Sequence, residues 1–204
     1  MSGERHLVVF AREPVLGRVK GRLGRDIGVF AATRFYRQTL AIVLNRLSRN
    51  RRWRCWLALS PDSAIIRHRF WPKSFRPLKQ GVGDIGERMK KAMAQMPPGP
   101  VVIIGTDVPD ITGGHIKTAF KALGNHDVVF GPAADGGYWL VGARRTPATP
   151  DIFSGVRWSS QHTLQDSLTK LRKEGCKVAL LETLNDIDDG AAFAQWSRSK
   201  NKCV

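Results

Sequence analysis

Cysteine is scarce: Cys55, Cys176 and Cys203 are the only three in 204 residues. Odd in number and widely spaced, they give neither a disulfide framework nor a zinc motif, and they point to a reducing cytosol. Long apolar runs are missing as well. None approaches the roughly 20 residues that span a bilayer, so no membrane partner is expected. The opening MSGERHLVVFAREP breaks its apolar stretch too soon for a signal peptide. A cytoplasmic protein is therefore expected. Acidic residues are also in short supply, 17 Asp+Glu against 33 Lys+Arg, which leaves a net charge of +16. Such a balance bears on partners and solubility rather than on fold.

What is present fits a globular chain: 42% hydrophobic and 25% charged residues, and a length suited to one compact domain spanning 1–204. Basic residues cluster at Arg46, Arg49, Arg51, Arg52 and Arg54, then at Arg67, Arg69, Lys73, Arg76 and Lys79. Aromatics stand among them, Trp53, Trp56, Phe70, Trp71 and Phe75, which would suit a nucleic-acid surface. The plainer reading, a solvated basic face over core aromatics, is preferred here, and specific nucleic-acid binding is not expected.

Short apolar runs mark strands at 6–11, 53–60, 75–80, 101–105, 126–132, 137–143 and 177–182. Helical spacing or capping signals mark helices at 26–47, 63–69, 84–96, 112–123 and 161–174, with a last one in the C-terminal tail. TPATP at 146–150 reads as a surface loop. Strands alternating with helices predict a three-layer α/β/α domain on a mainly parallel sheet. Ligands of such sheets bind beyond the carboxyl ends of the strands.

Four stretches carry chemistry. VVIIGTDVPDI, 101–111, runs from a strand buried on both faces into Asp107, where a carboxylate is costly unless paired or metal-bound. The loop FAREPVLGRVKGRL, 10–23, holds Gly17 and Gly21 with Arg12, Arg18, Lys20 and Arg22. Glycine-containing loops ahead of helices can aim N–H groups at phosphate while cations neutralise it; no G-x-x-x-x-G-K-S/T motif is present. GPAADGGYWLVG, 131–142, is either a ligand-facing loop or a hairpin with a structural Asp-Gly turn. LNDIDDG, 184–190, packs Asp186, Asp188 and Asp189 together, which suits either a shared cation or the acidic start of a helix. Asp110 or Thr112 would cap the helix after Asp107.

In this order the stretches resemble a family: small bacterial and archaeal proteins of the glycosyltransferase-A superfamily, of undetermined reaction. Its pattern is K-x-P-x-x-G-x-V-K-T-R-L, G-x-L-G-E-R-M, G-T-D-x-P, D-G-G-Y-x-L-x-G and a late D-x-D. Here these stand as REPVLGRVKGRL (12–23), GDIGERM (83–89), GTDVP (105–109), DGGYWLVG (135–142) and DID (186–188). Arg12 stands for the usual Lys and Gly21 for the usual Thr. More distantly the chain is similar to 2-phospholactate guanylyltransferases and molybdenum-cofactor nucleotidyltransferases.

The resemblance implies a nucleotide-diphospho-sugar transferase fold, and glycosyl or nucleotidyl transfer from a nucleoside triphosphate or nucleotide sugar to a small-molecule acceptor. It places Arg12, Gly17, Arg18, Lys20, Arg22, Gly83 and Arg88 along the nucleotide, with Lys20 and Asp107 catalytic. It also implies Mg²⁺ or Mn²⁺ on Asp107 with Asp186 or Asp188, and Asp135, Gly136, Gly137 and Tyr138 facing sugar or acceptor. A non-catalytic nucleotide or nucleic-acid binder on the same fold is the alternative.

Overall fold

A computed structural model of the protein describes residues 3–146 and 148–201; of residues 67–70, 200 and 201 it describes the backbone alone. Cys203, Pro147 of the predicted 146–150 loop, and the side chains of Arg67, Arg69 and Phe70 therefore lie outside the described residues.

The strands are β1 (His6–Arg12), β2 (Arg54–Ser60), β3 (Phe75–Lys79), β4 (Val101–Ile104), β5 (Val128–Pro132), β6 (Tyr138–Ala143) and β7 (Val178–Leu180). Among the described residues they form one seven-stranded sheet in the order β3-β2-β1-β4-β6-β5-β7. Only β6 runs against its neighbours, pairing antiparallel with both β4 and β5. The sheet is thus mainly parallel, as the strand–helix alternation predicts.

The central strands are apolar throughout because helices cover both their faces. Leu7, Val9 and Ala11 of β1 enter one core layer and Val8 and Phe10 the other, following the two-residue strand period. Helices α2 (Val29–Ser48) and α4 (Gly113–Ala122) cover the first layer. The second lies under α3 (Ile85–Gln95) and α5 (Thr163–Lys173).

Two local outcomes differ from the sequence reading, and one open alternative is decided. Residues 21–24, predicted as loop, open the helix α1 (Gly21–Ile27), and the helix expected across 26–47 is broken at Gly28, whose φ of 88° ends α1 and starts α2. Residues 62–70 form a 3-10 helix. The cap of α4 is Thr112, with His115 completing a capping box, so Asp110 is not the cap. The tail forms α6 (Gly190–Asn201). Its Phe193 and Trp196 meet Phe35 edge-on, and with Leu23, Ala32 and Ile187 they form a third, smaller core.

Among the described residues no helix is long and apolar enough to cross a membrane. Cys55 is buried, and burial pushes its thiol up to about 11, which makes it a core residue rather than a nucleophile.

Candidate functional site

The strand order changes direction at β1. The chain goes from β1 outward through β2 to β3, then returns to lay β4 on β1's other side. That makes a switch point, where the loops beyond two neighbouring strands diverge and leave a crevice. A cleft of about 800 Å³ lies there, between the loop after β1 and the loop after β4.

At its centre is Lys20. The residue sits in the left-handed backbone region, φ 51°, immediately ahead of α1, and its side chain is only 4% exposed. Its ammonium meets Asp107 Oδ1 at 2.5 Å and Asp188 Oδ1 at 2.7 Å. Burial alone would lower the Lys20 pKa; the two carboxylates reverse this and hold it above its ordinary value. The question posed by a carboxylate after a buried strand is thereby answered in part. Asp107 stands three residues beyond β4, about half exposed, and its charge is matched by Lys20.

The D-I-D spacing explains how two of the late carboxylates arrive together. Ile187 is 2% exposed in the third core, so its extended neighbours Asp186 and Asp188 turn the other way, into the cleft. The Ile187 N–H donates to the Asp107 carbonyl at 3.1 Å, joining the two loops. Burial, then Asp188 and Asp135, push the Asp186 carboxyl up to about 6. Asp189 is different in kind: its Oδ1 accepts from Ala192 N at 2.8 Å and caps α6. Among the described residues no three His, Cys, Asp or Glu side chains are grouped to hold a metal. The cation that Asp107 and Asp188 share is the ammonium of Lys20.

The cleft also has a basic lining. Arg12, Arg18, Arg22 and Arg88 line it, and among the described residues none of the four has a carboxylate within ion-pair reach. Gly17 also lines the cleft, whereas Gly83 does not. Gly83 has a φ of 111°, and the Glu87 carboxylate fills the space a side chain there would need. It serves the capping box by which Asp84 and Glu87 start α3.

The 135–138 turn serves two ends. Asp135 Oδ1 accepts from Gly137 N at 2.8 Å, the hydrogen bond of a structural turn. Asp135 and Gly137 nevertheless line the cleft, facing Asp186. Gly136 does not line it. Its φ is 87°, and a Cβ would lie 2.2 Å from the Gln161 carbonyl, so the backbone packing admits glycine alone. Tyr138 presents its ring, stacked at a tilt on Phe130, while its hydroxyl is buried away from the opening.

Two residues that hold the site carried no signal in the sequence. Tyr36 of α2 reaches the end of β1, where its hydroxyl accepts from Arg12 N at 2.9 Å and donates to Arg12 O at 3.1 Å. The same hydroxyl lies 3.4 Å from Thr106 Oγ1, so one buried oxygen ties both cleft loops to α2. Gln80, just past β3, bonds Arg88.

The basic cluster behaves as scaffold and surface. Arg46 Nη1 donates to the carbonyls of Pro109 and Ile111, Arg54 pairs with Glu4, and Arg76 lies over Trp56. Arg49, Arg51 and Arg52 are at the surface, and Trp53 and Phe75 are core residues, each 5% exposed.

Sheet order, switch-point cleft and the loops around it define an α/β protein of the nucleotide-diphospho-sugar transferase fold. Residues 43–160 match the family described as "Uncharacterized protein conserved in bacteria (DUF2064)", and the chain belongs to that family. A crystal structure from Desulfovibrio desulfuricans G20, provisionally named a nucleotide-diphospho-sugar transferase, is 31% identical. It superposes with a TM-score of 0.85 over 93% of this chain and 84% of that one. CMP:2-keto-3-deoxy-manno-octonic acid synthetase complexed with CTP shares the fold at 12% identity, TM-score 0.62, covering 99% of this chain and 100% of that one. So does Rv0371c of Mycobacterium tuberculosis H37Rv complexed with manganese, at 15% identity and TM-score 0.52, covering 96% and 98%. No curated protein matches the chain.

Proposed function

We propose that residues 1–204 form one transferase domain whose cleft binds a nucleoside triphosphate or nucleotide sugar and passes a nucleotidyl or glycosyl group to a small-molecule acceptor. One observation carries this reading: the same switch-point cleft is lined both by guanidinium groups without carboxylates in ion-pair reach and by carboxylates that converge on one cation. Such a cleft suits a polyanion whose far end is accompanied by a cation. The solved relatives supply context, since one was crystallised with CTP and another with manganese.

In this reading Arg12, Arg18, Arg22 and Arg88 bind phosphate oxygens by charge-assisted hydrogen bonds. Lys20, on the same loop as Arg12, Arg18 and Arg22, neutralises charge that builds at the reacting phosphate. For nucleotidyl transfer an acceptor oxygen attacks the α-phosphorus and pyrophosphate leaves. For glycosyl transfer an acceptor hydroxyl attacks the anomeric carbon and the nucleoside diphosphate leaves. Asp135 and Gly137 border the side where the acceptor would lie, with the Tyr138 ring beneath them.

The donor set fits a hard divalent cation in kind, because Asp107 and Asp188 already converge on one positive charge and Asp186 stands beside them. With the Lys20 ammonium drawn away to phosphate, Asp107 and Asp188, joined by Asp186, would hold Mg²⁺ or Mn²⁺. When bound, the ion supplies Lewis-acid neutralisation of phosphate charge.

The test is a thermal-shift screen of the four nucleoside triphosphates and common nucleotide sugars, each with and without Mn²⁺. Stabilisation by at least one nucleotide is expected, larger with Mn²⁺. A flat response to every nucleotide under both conditions would remove this reading.

A further inference from the structure

Gln80 is 4% exposed although it is polar, so each of its side-chain groups needs a partner. Its amide nitrogen donates to the Ala58 carbonyl at 2.8 Å and to the Ala11 carbonyl at 3.2 Å. Carbonyls only accept, so the NH₂ must face them and Oε1 must point the other way. There it accepts from Arg88 Nη1 at 2.8 Å. The amide therefore has one orientation, fixed by the ends of β1 and β2, and it passes that orientation on to Arg88.

Among the described residues no carboxylate lies within ion-pair reach of Arg88. Its Nε donates to the backbone carbonyl of Asp84 at 3.3 Å, so both acceptors are uncharged. Burial, and then the neighbouring Arg12, lower its pKa from the ordinary value, and the Asp84 carboxylate offsets them only in part. A carboxylate at position 80 would attract the guanidinium more strongly. It would also cancel the positive charge and leave two strand-end carbonyls without a donor.

We propose that Gln80 is a positioning residue, which holds Arg88 in the cleft as an unneutralised cation and so makes the corner beyond β1, β2 and β3 a seat for nucleotide phosphate oxygens. This rests on the reading of the cleft as a nucleotide site. Arg88 of α3 and Arg12 at the end of β1 then form an anion subsite distinct from the Lys20–Asp107–Asp188 cluster.

The experiment measures binding of inorganic tripolyphosphate and of CTP by calorimetry at two salt concentrations. The full chain is compared with Gln80→Glu, Gln80→Met, Arg88→Met and the double variant Gln80→Met/Arg88→Met, each checked by thermal melting. Arg88→Met is expected to weaken both ligands about tenfold, the loss of one charge-assisted contact. Gln80→Glu is expected to lose as much and to bind with a shallower salt dependence, because its carboxylate neutralises Arg88. Gln80→Met removes the acceptor without adding charge, and carries the test should the Glu variant not fold; a several-fold loss is expected. In the double variant the methionine at 80 should add no further loss, since its effect acts through Arg88. A merely structural Gln80 predicts the opposite, an equal loss in both backgrounds. That result, or parent-like binding by both Gln80 variants beside a weakened Arg88→Met, overturns the proposal and leaves the nucleotide reading standing. Parent-like binding by Arg88→Met itself overturns both.

Discussion

The N–H of Ile187 donates to the carbonyl of Asp107 at 3.1 Å, so the loop after β4 and the D-I-D loop are joined through their backbones. Their carboxylates reach the cleft on this shared backbone joint and on the packing of the Ile187 side chain in the third core. Asp107→Asn should therefore leave the joint intact. It keeps an accepting oxygen for Lys20, and Asp188 still pairs with that ammonium. The expected stability cost is about 1 kcal/mol or less, as for a half-exposed ion pair. Mn²⁺-dependent nucleotide binding should fall sharply in the same variant. Calorimetry with and without Mn²⁺ checks this, and parent-like binding of both would make Asp107 purely structural.

Asp186 gives the cleft a signature in pH. Its carboxyl is raised from 3.8 to about 6, so the folded state holds the proton more tightly than the unfolded chain does. Stability from this group is present at low pH and is lost as pH rises from about 4 through about 6. Asp186→Asn mimics the protonated form. It should be more stable than the parent at pH 8, by about 1 kcal/mol once its partial exposure is allowed for. At pH 4 the gap should have closed. Urea unfolding at both values measures it.

Gly21 opens α1 with nothing within 4 Å of where a Cβ would stand, and its φ is not positive. The position accepts a side chain, so glycine there mainly enlarges the unfolded ensemble. Gly21→Ala should stabilise the protein by about 0.4–1 kcal/mol in urea unfolding.

The exposed arginines Arg49, Arg51 and Arg52 lie on the turn between α2 and β2, which pairs with β1 at the amino end of the sheet, opposite the cleft. Replacing all three with Gln should leave nucleotide affinity within about twofold while reducing salt-sensitive, sequence-indifferent retention of DNA in gel shifts. A nanomolar, sequence-selective complex of the parent protein would instead show a dedicated nucleic-acid site.

What could be read from the sequence follows from which signals are local. VVII of β4 and HLVVFA of β1 announce themselves because burial on both faces writes an unbroken apolar run. The capping box of α3 is equally legible, since Asp84 and Glu87 stand three residues apart. GRLGRDI hid α1, for its two glycines and absent side-chain cap are loop-like, and its helix depends on Leu23 packing under α2 and α6. The Lys20–Asp188 contact spans 168 residues, and no spacing rule reaches so far. Gln80 was silent for another reason: a lone glutamine after a strand has no pattern, and its meaning comes only from the two carbonyls it meets.

Lys20 is where the proposed chemistry is most exposed to test, because its side chain holds two carboxylates that would otherwise repel. Lys20→Met removes the buried ammonium, so Asp107 and Asp188 lose their common partner at 2.5 and 2.7 Å. Part of the cost is returned by relief of the left-handed backbone only if the new residue tolerates φ 51°, which methionine does no better than lysine. The variant should therefore be less stable than the parent. The parent's advantage should persist through neutral pH and fade only above the ordinary lysine range, because a raised pKa keeps the pair charged to higher pH. Arg22 is exposed and makes no ion pair among the described residues, so Arg22→Ala should leave stability unchanged. Each variant should nonetheless lose about 1.5–3 kcal/mol of nucleotide affinity, the worth of one charge-assisted contact. Calorimetry at pH 7.5 with the nucleotide that gives the largest thermal shift decides the point. Unchanged affinity in both folded variants would separate the Lys20 ion pairs from ligand binding and leave them as a clamp between α1 and the D-I-D loop.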